Sequence, residues 1–257
     1  MVQALRGDNI EERVQYLGEL AKQISPDVQE DFNSRLNISW IYHDSVLEGV
    51  VYTMDELQSA IADEVVSDSS LIPVYDEIRN HRAAINMIRD LASKKRLKIT
   101  LDVIKKIYVT LCPEEVEGRG APMYRKEMPL HRLYFHEIAK PARISYQMRQ
   151  FVQWLNAAET KRSVHPIRLA AQAHFQLLQI YPFPKNSGKV ARLIMNLLLL
   201  NNDLPPAIIH ATERQRYYEV LKKSQDGSSK LIQEALTASV ETSIQFYETS
   251  LGIEPEA

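Results

Sequence analysis

The 257-residue chain is 45% hydrophobic and 25% charged, a balance that builds a buried core and excludes disordered or collagen-like architectures. Its 31 Lys+Arg against 33 Asp+Glu give a formal net charge of -2, so no bulk pull toward DNA or acidic membranes is expected, only local basic patches. Its 8 glycines leave few positions for left-handed turns and favour an all-α chain over a turn-rich sandwich or barrel. In chain order, Asn9 to Gln23 places Ile10, Val14, Leu17, Leu20 and Ala21 at helical spacing, and Gln29 to Val51 carries a broad apolar stripe from Phe32 to Val51. Thr53 with Glu56 makes a capping box for Met54 to Asp63, and Pro73 precedes an amphipathic helix from Val74 to Leu91 that Lys94-Lys95-Arg96 ends. Thr100 caps Leu101 to Leu111. From Cys112 to Pro141 the periodicity is lost, and the strand-like piece Leu130 to Ile138 predicts a short hairpin. Helices resume at Ile144 to Ala158, Ile167 to Ile180, Gly188 to Asn201, Glu213 to Lys223 and Ser228 to Thr249, with no internal repeat.

The lone Cys112 can form no internal disulfide and belongs to no zinc ligand set. Met1 to Gln15 lacks the apolar stretch of a signal peptide, and the run Ala191 to Leu200 is interrupted by Arg192 and Asn196, well short of the roughly 20 residues of a membrane span. A cytoplasmic protein without membrane contact is expected.

The chemistry concentrates in Tyr181-Pro182-Phe183-Pro184-Lys185-Asn186-Ser187-Gly188-Lys189-Val190-Ala191-Arg192, between two apolar helices. Pro-Phe-Pro stops one helix and Asn-Ser-Gly opens the next, whose unpaired N–H groups and dipole make an anion site. Lys185, Lys189 and Arg192 flank that N-terminus, where cations oppose the dipole and call for a counter-anion. A solvated basic helix start capped by Ser187 or Asn186 accounts for the same residues without a ligand.

This stretch resembles the HPFx(D/E)GN(G/K)RxxR signature of the Fic (fido) family of AMP-transferases. The resemblance extends to Trp154-Leu155-Asn156, His165-Pro166, Ala170, Ala171, His174, Leu197 to Leu200, Pro205-Pro206, Arg214, Tyr217-Tyr218 and Leu221. It implies that Tyr181 stands at the position of the general base and Lys185 at that of the acidic metal ligand. Asn186-Ser187-Gly188 stands at the phosphate cradle, and Lys189 and Arg192 at the two phosphate-binding arginines. Only Pro182, Phe183, Gly188 and Arg192 match the signature strictly. A phenol, ordinarily titrating near pH 10, is a far poorer base at neutral pH than an imidazole, and an ammonium cannot hold Mg²⁺, which takes oxygen ligands. Both changes point to a pseudo-AMP-transferase that has lost ordinary AMP transfer.

Asp44-Ser45-Val46-Leu47-Glu48-Gly49 resembles the (S/T)xxxE(G/N) inhibitory helix of relatives that carry their regulator before the core. The resemblance pairs Glu48 with Arg192, blocking the γ-phosphate position, while Asp44 replaces the first Ser/Thr and Ser45 keeps an adjacent hydroxyl. It places a target-docking flap at Leu133, Tyr134, Phe135 and His136, although a hairpin packed on its own core would read alike and His136 reads more readily as a surface-loop histidine than as a replacement base. It puts Tyr217 and Tyr218 on the adenine side, against a plain reading of one core and one surface tyrosine, and His174 reads as a core residue.

The expected fold is therefore all-α: a Fic-type helical core at 96–257, an N-terminal helical region with the inhibitory-type helix at 1–95, and a small β-hairpin flap. The expected function is binding of ATP or another nucleotide, or of a protein partner docking at the flap, without Mg²⁺ and without DNA. The resemblance also implies a homodimer. The alternative is an active nucleotidyl- or phosphoryl-transferase that modifies a protein hydroxyl by metal-independent chemistry. A third is a scaffold in which Glu48 and Arg192 only staple the arm to the core.

Overall fold

The structure, a computed structural model, describes residues 9–66, 68–118, 120–129, 137–223 and 225–253. Asn9 opens the first helix, α1 (Ile10–Ala21), by accepting a hydrogen bond from the Glu12 N–H at 2.8 Å. Helix α2 (Pro26–Leu47) starts at the Ser25 cap with proline at its first position, earlier than its apolar stripe suggests. The expected capping box holds: the Glu56 N–H donates to Thr53 Oγ1 at 3.2 Å and Glu56 Oε2 accepts from the Thr53 N–H at 2.7 Å, opening α3 (Met54–Ile61). Then follow α4 (Ile72–Ala92) and α5 (Leu101–Leu111), the latter capped by Thr100.

Beyond an irregular connection lie α6 (Pro141–Asn156), α7 (Ala158–Ser163), α8 (Pro166–Ile180), α9 (Ser187–Leu200), α10 (Arg214–Lys223) and α11 (Gln225–Leu251). The stretch expected as one helix from Ile144 to Ala158 breaks at Ala157, whose extended backbone (φ -63, ψ 135) separates α6 from α7.

The core is built on α8 and α9. Helix α9 is apolar nearly all round, and its residues Ser187 to Leu199 are buried beneath α8, α4 and α5. Its Asn196 survives burial because both halves of its amide bond Ala207, accepting from the N–H at 2.8 Å and donating to the carbonyl at 3.2 Å. Helix α11 packs on α1, α8 and α10, while α2 lies across α3 and α4 and reaches the short turn at 211–213. No helix among the described residues is long and apolar enough to cross a membrane.

One expectation is corrected. No strand occurs among the described residues, and the fold carries no β-hairpin flap there. Of the expected hairpin, residues 130–136, with Leu133, Tyr134, Phe135 and His136, lie outside the described residues, and Glu137 and Ile138 are irregular. The described flanks direct backbone donors to the end of α8 rather than to a partner strand: Arg125 N–H to Pro182 O at 2.9 Å and Ala139 N–H to Gln179 O at 2.8 Å.

Candidate functional site

The turn between α8 and α9 is fixed from several directions. Helix α8 ends because Tyr181 adopts a left-handed backbone (φ 46, ψ 65) ahead of Pro182. Phe183 is buried and stacks on Tyr108 of α5, ring centroids 3.9 Å apart and planes within 4°. Ser187 accepts from the Phe183 N–H at 2.8 Å and returns its hydroxyl proton to Phe183 O at 3.1 Å, so it closes the turn instead of capping α9. Asn186, also left-handed (φ 55), makes no cap bond; its amide donates to Cys112 Sγ at 3.0 Å. The capping role expected of these two residues is therefore replaced by a turn bond at Ser187 and a tertiary bond at Asn186. Burial pushes the Cys112 thiol up to about 11, which keeps it protonated and a poor nucleophile.

Arg125, which sequence reasoning passed over, is the main fastening of this turn. Its buried guanidinium donates to Tyr181 O at 2.7 Å, Ile180 O at 3.3 Å and Glu127 O at 3.0 Å, and also to Ala139 O. It gathers buried carbonyls at the negative end of α8 and ties the α5–α6 connection to them. The only signal in the sequence was an arginine in an aperiodic segment.

At the rim, Lys185 pairs with Glu114, both side chains about half exposed, and lies 3.9 Å from the less exposed Glu115. Burial would lower the Lys185 ammonium, but the Glu114 hydrogen bond and charge outweigh it and raise its pKa. The Lys185 ammonium, tied to carboxylates, itself supplies no oxygen to a cation.

Behind the rim lies a buried charge network. Arg192 Nη2 donates to Glu48 Oε1 at 2.8 Å, its Nε donates to Asp44 Oδ1, and its Nη1 donates to Tyr217 OH at 3.2 Å. These are among the least exposed ionised groups of the molecule: the side chains of Arg192, Asp44 and Glu48 are 4%, 3% and 7% exposed. Asp44 Oδ2 faces His81 Nε2 of α4 at 3.0 Å. Burial works to raise the Asp44 carboxyl, but Arg192 and then His81 outweigh it and hold it at about 2. Burial lowers His81 against the pull of Asp44, and it likewise lowers Lys189, which is buried near Asp44, Glu48 and Glu77. Gly188 faces this network so closely that a Cβ there would overlap Glu48 Oε1.

Of the residues singled out in the sequence, the fold brings Glu48, Gly188, Lys189 and Arg192 together. Tyr217 and Tyr218 are both buried, so the reading of one core and one surface tyrosine is overturned: Tyr217 OH also meets His174 Nε2 at 2.9 Å, and Tyr218 OH donates to Leu47 O at 2.7 Å. His174 is a core residue. Missed altogether were Asp44 as a direct partner of Arg192, His81 behind it, and Glu114 opposite Lys185.

The sequence model of the Fic/DOC family matches residues 98–199. Curated relatives include the protein adenylyltransferase Fic of Drosophila mojavensis, 29% identical over 214 residues that are 80% of this chain and 40% of the relative. The protein of the same name in Culex quinquefasciatus is 30% identical over 82% of this chain and 41% of its own length. The chain therefore spans about two fifths of the curated relatives it matches. Among solved structures, a Fic domain containing signaling protein from Bacteroides thetaiotaomicron superposes with a TM-score of 0.76 at 19% identity, over 95% of this chain and all of that one (100%). Fic-1 from C. elegans superposes with a TM-score of 0.71 at 23% identity, covering 94% and 72%. Residues 98–199, which hold the two-helix core and most of the site, including the turn at 181–192, form a domain of the Fic/DOC family.

Proposed function

We propose that this chain is a pseudo-AMP-transferase: a Fic-domain protein that lacks ordinary AMP transfer and acts by binding a nucleotide or a protein partner. The observation that carries this reading is that the cations of the turn face carboxylates of the chain itself. Lys185 meets Glu114, Arg192 meets Glu48 and Asp44, and Lys189 lies among Asp44, Glu48 and Glu77. A polyphosphate entering here must displace carboxylates before it gains any cation. The chemistry of the turn points the same way, since Tyr181 offers a phenol where a base is needed and Lys185 offers no oxygen to a metal. Glu48 serves as the inhibitory residue in this reading, and ATP is the leading nucleotide.

The test is labelling with α-³²P-ATP in a cell lysate, with wild-type protein and Tyr181→His, alongside ATP calorimetry with and without Mg²⁺. Neither protein should transfer label, and any ATP affinity should be the same within about twofold with and without Mg²⁺, because an ammonium, Lys185, stands at the position of the metal ligand. Enzyme-dependent labelling of a protein hydroxyl by the wild type would establish a working transferase in place of this reading.

A further inference from the structure

Arg192 has five N–H donors, and four contacts show how they are used. Nε and Nη2 reach Asp44 Oδ1 and the Asp44 main-chain oxygen, the second at 3.3 Å. Nη2 also reaches Glu48 Oε1 at 2.8 Å, and Nη1 reaches Tyr217 OH at 3.2 Å. Three of these four acceptors come from α2 and its cap residue Glu48, and two of the three belong to Asp44. The inhibitory pattern that this segment resembles has a neutral hydroxyl at position 44; here the residue is a carboxylate, as buried as the arginine it meets. His81 backs its other oxygen from α4.

A buried guanidinium is stable only while paired. If Glu48 alone is removed, Arg192 keeps a buried carboxylate partner in Asp44, and nothing turns the guanidinium toward the α9 turn. If Asp44 alone is removed, Glu48 takes over the same neutralising role. Only when both are gone does Arg192 require an anion from outside. We infer that Asp44 is a second lock on Arg192, independent of Glu48, and that admitting a polyphosphate to this turn requires both carboxylates to leave. Because the Asp44 main-chain oxygen is also engaged, release in the intact protein means movement of the end of α2 as a whole, not a swing of the Glu48 side chain. The lock is a property of this chain's geometry, but its regulatory meaning rests on the nucleotide-binding reading above.

The experiment compares wild type, Glu48→Gly, Asp44→Ser and the double variant. Phenylglyoxal modification of Arg192, followed by peptide mass spectrometry, reads the lock without any nucleotide, and ATP calorimetry in EDTA reads ligand access. The modification rate at Arg192 should rise at least about tenfold in the double variant and change little in either single one, and ATP affinity should follow the same order, by about tenfold. Either single variant matching the double would overturn the second lock. Enhanced modification of the double variant with no ATP heat would leave the lock standing and remove the nucleotide reading. Should serine at 44 prevent folding, judged by circular dichroism, the isosteric Asp44→Asn with Glu48→Gln provides the same four-way comparison.

Discussion

Two cation–carboxylate groups sit near the start of α9, one on the rim and one beneath it, and they differ in almost everything but charge. Lys185 and Glu114 are 47% and 50% exposed, so water screens their attraction and two long side chains must be ordered to make it. Arg192 and Asp44 are 4% and 3% exposed, so each has lost its water and is stable only with the other in place. The lesson is that the count of basic residues around the turn says little. Burial decides which of them holds the fold together and which can be surrendered to a ligand.

The largest expected effect of breaking this contrast lies underneath. Arg192→Met leaves Asp44 and Glu48 buried without their cation and should lower unfolding free energy by about 3–5 kcal/mol, measured by urea denaturation. A smaller effect comes from acid. Asp44 titrates at about 2 against an ordinary 3.8, so its contribution is fully present above the ordinary value and is lost as pH falls through the folded one, on the order of 2 kcal/mol between roughly pH 4 and 2. His81, lowered from 6.5 by burial, acts in the same direction, since below that value the unfolded chain takes up a proton that the folded one refuses. Denaturation midpoints of Asp44→Asn from pH 7 to 2 should therefore fall less steeply than those of the wild type. The smallest effect is at the rim: Lys185→Ala or Glu114→Ala should change stability by about 0–1 kcal/mol, shrinking further in 0.5 M salt. A rim variant as damaging as Arg192→Met would erase the distinction.

Much of this was legible in the chain. The helices announce themselves through 3.6-residue spacing and through caps such as Thr53 and Thr100, because those signals are local. The arm segment ending at Glu48 and the turn ending at Arg192 could be matched because each carries a short pattern. What stayed hidden depends on tertiary approach. Arg192 and Asp44 are 148 positions apart, and nothing around Asp44 distinguishes a surface carboxylate from one about to be buried. Arg125 bonds almost only main-chain carbonyls, which leave no trace in residue identities. The hairpin expectation failed for a related reason: a short strand-like composition at Leu130 to Ile138 cannot tell a strand pair from a segment whose flanks bond the end of a helix.

Gly188 carries a consequence that reaches beyond energetics. A glycine in a helix costs about 1 kcal/mol relative to alanine, so on α9 considered alone alanine would be preferred at this position. It can enter only if the Glu48 carboxylate moves aside, since its Cβ would take the space of Glu48 Oε1 and crowd Arg192 Nη1 at 3.1 Å. Positions 48 and 188 should therefore be inherited as a pair. In a randomised library selected only for folding, alanine at 188 should be recovered chiefly beside a small residue at 48, and glycine at 188 wherever Glu48 is retained.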